Sequence, residues 1–228
     1  SHSLIAGVTG GAIALNGLAG VVLSEWMLVI YGMVFSLVGG FILGMTTTKI
    51  IEFLFSGVNR QRGNKVCMVL QDICACALSF LHGAQDGQKF MGVFLLGSAL
   101  SAGQGGVNEF EIPIWLMVMC SLIMALGTSM GGYRIIKSVG MDMVKLQTYQ
   151  GFAADTGAAL CLLTASLTGI PVSTTHTKTS SIMGVGFSKR ASAVNWKIVK
   201  EMVLTWVLTF PGCGILAFFM VKLFIRIF

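Results

Sequence analysis

Five polar or ionisable side chains lie within eight consecutive positions of the stretch SFLHGAQDGQKFMG, residues 79–92. They are His82, Gln85, Asp86, Gln88 and Lys89. An ionisable residue inside an apolar segment is costly and usually marks a functional site. A carboxylate beside backbone carbonyls at a helix break can bind a small cation, and amides can contact an anion or a cation. The alternative is an internal Asp86–Lys89 ion pair at helical spacing.

A second polar stretch, PVSTTHT, combines several hydroxyls with one imidazole. Pro favours the first turn of a helix, where unpaired N–H groups and the positive end of the helix dipole suit an oxyanion. We therefore predict an anion site at Ser173, Thr174 and Thr175, with His176 in support. The alternative is an ordinary capped helix start.

Asp155, in the stretch GFAADTGAA, is a further acid within an apolar run. We expect it to act as a cation ligand or proton carrier, or to make a plain hydrogen bond between packed helices. The histidines are too few and too separated to indicate a transition-metal site. No nucleophile–base pair or metal cluster is evident in the sequence, which argues against an enzyme.

The elements that carry these residues belong in a bilayer. The 228-residue chain is 55% hydrophobic and 11% charged, with a mean hydropathy of +0.84. Soluble domains carry about 25% charged residues. The net charge of +6 accompanies no nucleic-acid motif, and we interpret it as a signal of membrane orientation. Strand patterning is nearly absent, so we predict an all-α polytopic membrane protein, in which 29 glycines allow close helix packing.

Apolar runs of about 20 residues predict the membrane elements. In chain order we expect a small-residue helix at 4–23, a span at 26–44, a helix at 66–100 broken at 82–89, a span at 112–130, an apolar hairpin at 150–187 and a last span at 202–225.

The basic residues predict the orientation of these elements. Lys and Arg concentrate in the loops 45–65, 131–148 and 188–200, which we predict to be cytoplasmic, whereas 24–26 and 101–111 are predicted to be external. The segment 150–187 then enters and leaves on one side, as a re-entrant hairpin whose tip must line a cavity. The alternative is two full spans with a basic loop outside.

The chain also shows a weak internal similarity. SHSLIAGVTGGAIAL, residues 1–15, and TTHTKTSSIMGVGF, residues 174–187, both begin with a hydroxyl, a His and another hydroxyl. Each leads to a loop and then to one apolar span, in opposite predicted orientations. We therefore predict inverted repeats, with 1–60 as the end of the first and 61–228 as the second.

Four motifs in order, HGAQDGQKFMG, GGYRIIKSVG, QGFAADTGAAL and PVSTTHTKTSSIMGVG, resemble those of the PiT inorganic phosphate transporters. The similarity covers most of 66–190, and SHSLIAG resembles the end of that family's first-repeat motif. The resemblance implies two inverted repeats with re-entrant hairpins, a central site and often a dimer. It also implies symport of inorganic phosphate with Na⁺ or H⁺.

Carried over residue by residue, the resemblance places Gln85, Asp86, Gln88 and Lys89 in the signature of the second repeat. It places Ser173 to His176 at the second hairpin tip, and Ser1, His2 and Ser3 at the first. This sequence departs from the family in having Gln85-Asp86 for the usual Asn-Asp, and Asp155 where Glu is frequent. The first repeat's own Asn-Asp motif is expected before Ser1.

These observations lead to one main hypothesis. The protein is expected to be a secondary transporter of the plasma membrane, not an enzyme, that moves phosphate by alternating access as a homodimer. Phosphate would contact Gln85, Gln88, Ser173, Thr174, Thr175, Ser1 and Ser3; Na⁺ would bind at Asp86 and Asp155; Lys89, His176 and His2 would support the site. No cofactor other than the coupling ion and no nucleic acid is expected. The alternatives are a proton-coupled phosphate or sulfate permease, or a non-transporting receptor or assembly subunit.

Overall fold

A computed structural model describes residues 2–101 and 112–227. Within these ranges the chain is helical and has no β-strand, apart from an isolated bridge between Val144 and Val194. The α-helices are α1 (His2–Asn16), α2 (Leu23–Leu54), α3 (Arg60–Ser101), α4 (Ile114–Lys137), α5 (Thr148–Thr168), α6 (Thr174–Lys189) and α7 (Trp196–Ile227). Six helical segments in the described ranges, those of α1 to α5 and α7, are long and apolar enough to cross a membrane. The predicted all-α polytopic fold is confirmed.

Helix α3 corrects one expectation. It runs without interruption through residues 82–89, so the predicted break in this helix is wrong. Asp86 obtains partners about one turn away on either side, His82 and Lys89, without any unwinding of the backbone. An unbroken helix keeps its backbone hydrogen bonds internal, as lipid requires. With 42 residues, α3 is about 63 Å long, roughly twice the thickness of the hydrocarbon core.

Helices α5 and α6 form an antiparallel hairpin over the segment predicted at 150–187. Helix α5 ends at Gly169, whose φ of 69° lies in the left-handed region that favours glycine. Helix α6 begins after Ser173, whose hydroxyl oxygen accepts the backbone N–H three residues later. Residues 169–173 connect the two helices, and we call them the hairpin tip.

The far ends of the hairpin lie side by side. The backbone N–H of Asn195, after α6, donates to the carbonyl oxygen of Met143, before α5, at 2.9 Å. A buried apolar cluster, which includes Ile51, Val144 and Val185, packs around these ends. The segments before and after the hairpin therefore meet on the same side of the molecule.

Close helix contacts depend on glycines at two interfaces. Helix α2 packs against both hairpin helices, and α1 packs against α7. A Cβ atom at Gly184 of α6 would collide with the carbonyl oxygen of Phe41 in α2. In the same way, a Cβ atom at Gly10 of α1 would collide with the carbonyl oxygen of Gly214 in α7. Small residues permit this close approach of helix backbones in membranes.

We expect Gly10→Ala to lower the thermal unfolding temperature of the detergent-solubilised protein. Overpacking costs about 1–3 kcal/mol, more than the roughly 1 kcal/mol that alanine gains over glycine in a helix. Gly7→Ala is the matched control, because nothing lies within 4 Å of a Cβ there. It should preserve or raise the unfolding temperature. Equal unfolding temperatures for the two variants would contradict the close α1–α7 contact.

Candidate functional site

The polar face of α3 meets the hairpin tip. Thr174 Oγ1 donates to Asp86 Oδ2 at 3.3 Å, and Lys89 Nζ donates to the carbonyl oxygen of Val172 at 3.1 Å. Lys89 Nζ also donates to Asp86 Oδ1 at 3.1 Å. We call Asp86, Lys89, Val172 and Thr174 the tip cluster. The hairpin closes against α3 through these contacts, so residues 88 positions apart in the sequence become neighbours.

The tip cluster combines groups that recognise charges of both signs. The side chains of Asp86 and Lys89 are 17% and 23% exposed, so both are mostly withdrawn from solvent. The first-turn N–H groups of Thr174 and Thr175 have no acceptor within α6, and the positive end of its dipole faces the cluster. An anion can therefore interact with the ammonium and the helix start, while a cation can interact with the carboxylate.

The two glutamines predicted to contact phosphate have different environments. Gln85 Nε2 donates to the carbonyl oxygen of Leu162 at 3.1 Å and to Ser166 Oγ at 2.7 Å, which ties α3 to α5. Its Oε1 is buried with no hydrogen-bond partner in the described part of the chain. Because its N–H₂ group is engaged with α5, Gln85 is available as an acceptor and is poorly suited to donate to phosphate.

Gln88 is exposed on α3. Residues two apart on a helix do not face each other, so Gln88 does not share the face that carries Asp86. The structure therefore does not bring Gln88 into the tip cluster. Lys89, one residue further on, does reach the hairpin, at the carbonyl oxygen of Val172.

The two hydroxyl–histidine motifs meet through their imidazoles. The rings of His2 and His176 stack with centroids 4.3 Å apart, and His176 also contacts Trp206 at 4.0 Å. His176 is 3% exposed, and its Nδ1 has no hydrogen-bond partner among the described residues. Ser3 is exposed, as is Thr175, and Ser1 lies outside the described residues. The histidines thus join α1, α6 and α7 in an aromatic cluster.

Asp155 has a partner that the sequence did not predict. Its carboxylate, on α5, forms an ion pair with the ammonium of Lys178 on α6. Asp155 is 7% exposed. The geometry therefore favours an ion pair with Lys178 over the predicted role of Asp155 as a cation ligand. The sequence feature that could have indicated this pair is Lys178, the basic residue inside TTHTKTSS, immediately after the hydroxyl motif.

A cavity of about 850 Å³ lies between α3, α4 and α6. Thr174 of the tip cluster and Lys178 both line it, together with His82, Thr175 and Thr179. The remaining lining is largely apolar or small. The cavity therefore borders both the tip cluster and the Asp155–Lys178 pair, and it places Thr175 where a solute could reach it.

The donor set suits an alkali cation better than a transition metal. No group of three His, Cys, Asp or Glu side chains comes together to hold a metal ion within residues 2–101 and 112–227. The oxygen atoms of Asp86 and Thr174, with the nearby Val172 carbonyl, are the kind of ligands that coordinate Na⁺ in transporters.

Comparison with known proteins identifies the family. A family model described as the phosphate transporter family, PHO4, matches residues 55–217, more than half of the chain. The chain belongs to the phosphate transporter family. The resemblance seen in the motifs is thus confirmed.

Two relatives are each named as a probable low-affinity inorganic phosphate transporter. The protein from Rhizobium meliloti (strain 1021) is 37% identical over 218 residues, which are 95% of this chain and 64% of that protein. The protein from Bacillus subtilis (strain 168) is 35% identical over 226 residues, 98% of this chain and 67% of that protein. The chain therefore spans about two thirds of the length of these relatives. Both are named for transport and not for catalysis.

A solved structure shares the fold. It is named "The sodium-dependent phosphate transporter", and it matches with a TM-score of 0.82 at 22% identity. The match covers 97% of this chain and 73% of that chain. The arrangement of helices and hairpin described above is therefore shared with that structure.

We expect Gln85→Leu to lower the thermal unfolding temperature, because it removes both hydrogen bonds from α3 to α5. Each such bond contributes about 0.5–1.5 kcal/mol. Ser166→Ala, which removes one of the two, should have a smaller effect.

Gln88→Leu is the matched control on the same helix, and it should leave the unfolding temperature nearly unchanged. If Gln85→Leu and Gln88→Leu behave alike, the tie between α3 and α5 does not form as described. Loss of phosphate uptake in Gln88→Leu at normal stability would return Gln88 to the candidate site.

Proposed function

We propose that the protein is a secondary active transporter that moves inorganic phosphate across the plasma membrane together with Na⁺. The tip cluster is the observation that carries this proposal, since it brings an acid, a base and a helix N-terminus together. Family membership and the names of the relatives support phosphate as the substrate. Sodium is supported by the oxygen ligands around Asp86 and by the name of the structural neighbour.

In this proposal the Asp86–Lys89 pair couples the two solutes. Na⁺ takes the place of the Lys89 ammonium beside Asp86, and the ammonium turns to phosphate at the start of α6. Burying the two ions together costs less than burying either alone. Each solute then raises the affinity for the other by the same factor, as linkage requires. Phosphate that carries a proton can also donate a hydrogen bond to Asp86, which sulfate cannot.

Alternating access follows from inverted repeats, which we propose for this chain. Two features support the repeats. The α1–α7 and α2–α6 interfaces use the same glycine-to-carbonyl contact, at Gly10 and at Gly184. The corresponding histidines of the two hydroxyl motifs, His2 and His176, stack on each other. In the proposed repeats, α1 corresponds to α6 and α2 to α7, so the two histidines occupy equivalent positions.

The orientation in the membrane belongs to the same proposal. The basic loops 45–65, 131–148 and 188–200 are cytoplasmic, in accordance with the positive-inside rule. The hairpin then opens towards the cytoplasm and its tip lies at membrane depth. The family resemblance extends the proposal to a homodimer.

Uptake of radiolabelled phosphate into proteoliposomes containing the full-length protein tests the proposal. We expect an inward Na⁺ gradient to drive accumulation, and unlabelled phosphate to compete far better than sulfate. Accumulation driven by a pH gradient alone would replace Na⁺ by H⁺ as the coupling ion. Uptake indifferent to both gradients would contradict coupled transport and favour a non-transporting role.

We expect Asp86→Asn to abolish the response of uptake to the Na⁺ gradient, because an amide cannot neutralise the cation. Asp72→Asn is the matched control, since Asp72 is exposed on the same helix. It should transport normally. Unfolding temperature and membrane abundance are measured for both variants. Normal Na⁺-coupled uptake by a correctly folded Asp86→Asn protein would remove Asp86 from the cation site.

A further inference from the structure

Lys178 has no role in the function proposed above, although it forms a charge pair inside the hairpin. We propose that Lys178 is a tethered cation that occupies the position beside Asp155, so that Asp155 provides no site for a coupling ion in this chain. The lysine thereby limits the proposed coupling-ion sites in this part of the chain to the one at Asp86. This inference deepens the proposed function and rests on it for its meaning in transport, but its test does not require transport.

The burial of Asp155 makes a permanent partner necessary. Its carboxylate lies between two packed helices and is 10% exposed, while the Lys178 side chain is 33% exposed. A buried charge that loses its partner is strongly destabilising. The partner comes from α6 of the same hairpin, so it is present whenever the hairpin is folded.

Helices α2 and α6 pack closely against the part of α5 that carries Asp155. The carbonyl oxygens of the two preceding residues, Ala153 and Ala154, accept hydrogen bonds from Thr47 of α2 and Ser181 of α6. On the following side, a Cβ atom at Gly157 would lie 2.8 Å from the backbone nitrogen of Gly44. Asp155 is therefore enclosed by α2 and α6, and its charge is neutralised by Lys178.

The Asp86–Lys89 pair has further polar neighbours that could replace each partner, which would allow solutes to exchange with the pair. Asp86 also has His82 Nε2 at 3.6 Å and the Thr174 hydroxyl at 3.3 Å, and Lys89 has the Val172 carbonyl as a second acceptor. Either group can therefore leave the other and retain a polar contact. In this proposal solutes can replace the partners in the Asp86–Lys89 pair, whereas the Asp155–Lys178 pair stays in place.

The cavity between α3, α4 and α6 makes the proposed role of Lys178 testable, because it offers space to a cation when the side chain is shortened. Lys178 lines this cavity of about 850 Å³. Shortening its side chain leaves the Asp155 carboxylate beside space that is continuous with the cavity. A small cation from solution can then replace the lost ammonium.

The test measures Na⁺ binding to the full-length protein in detergent without phosphate. All variants carry Asp86→Asn, which removes the other proposed cation site. We expect Lys178→Ala to bind about one additional ²²Na⁺ per chain, with an unfolding temperature higher in NaCl than in choline chloride at equal ionic strength. The parent with Lys178 should show neither effect, and Asp155→Asn combined with Lys178→Ala should lose both.

A purely structural lysine predicts a different result. Lys178→Ala would then be destabilised equally in NaCl and choline chloride and would bind no additional Na⁺, which would overturn the proposal. If Lys178→Ala does not accumulate, Lys178→Gln serves instead, because it can donate to Asp155 without supplying a charge. The same Na⁺ response is expected from it, and its absence would equally overturn the proposal.

The outcomes separate this inference from the proposed function. Gain of a Na⁺ site in Lys178→Ala supports the tethered cation even if phosphate uptake proves uncoupled from Na⁺. Conversely, Na⁺-coupled uptake by the unmodified protein without any new site in Lys178→Ala or Lys178→Gln would leave the transport proposal standing and reject the tethered cation.

Discussion

An ionised carboxylate inside an apolar helix bundle needs a nearby positive charge, and this constraint shapes the hairpin of this protein. Asp86 contacts Lys89, and Asp155 contacts Lys178. The hairpin tip exposes irregular backbone, which is tolerated at membrane depth only where protein or a polar cavity shields it. Lys89 satisfies the Val172 carbonyl while it neutralises Asp86, so one side chain meets both requirements. Both hydrogen bonds described above from α3 to Val172 and Thr174 depend on this pair.

The two charge pairs differ in how they depend on the fold. Asp86 and Lys89 belong to one helix at i,i+3 spacing, so α3 alone brings them together. Asp155 and Lys178 belong to two helices, so their contact requires the hairpin to close. A change at the first pair leaves the contact between α5 and α6 intact, whereas a change at the second leaves a charge without its partner between α5 and α6. This difference is why we assign exchange with solutes to the first pair.

The sequence predicted the hairpin well because its signals are local. Gly169 and Ser173 lie where a helix C-cap and N-cap are needed, and the basic flanks mark the two far ends. The break in α3 was predicted wrongly, because a glycine costs a helix only about 1 kcal/mol and the polar residues Gln85, Asp86 and Lys89 have hydrogen-bond or ion-pair partners. The separation of Gln88 from Asp86 and Lys89 could not be predicted, because a short motif does not reveal which helix face meets a neighbour.

The Asp155–Lys178 pair could not be derived by counting residues from the tip. Asp155 lies 13 residues before the end of α5, about 20 Å along the axis, whereas Lys178 lies four residues after the start of α6, about 6 Å. Five connecting residues in an extended path can return about 16 Å, which compensates for the difference. The position of the first residue of α6 along the axis of α5 is therefore determined by the conformation of the hairpin tip and not by helix periodicity.

The interfaces around the hairpin differ in how easily they can separate. Gly184 against Phe41 and Gly10 against Gly214 are backbone contacts in which any added atom collides, so sliding is strongly opposed. By contrast, α3 meets the tip through Thr174 and Lys89, whose hydrogen bonds a bound ion or anion can replace. Replacing a polar contact by an equivalent one costs little, whereas leaving it unmade costs the full desolvation penalty. In the proposed transport cycle, we therefore expect the α3–tip interface to open when solutes take over its hydrogen bonds.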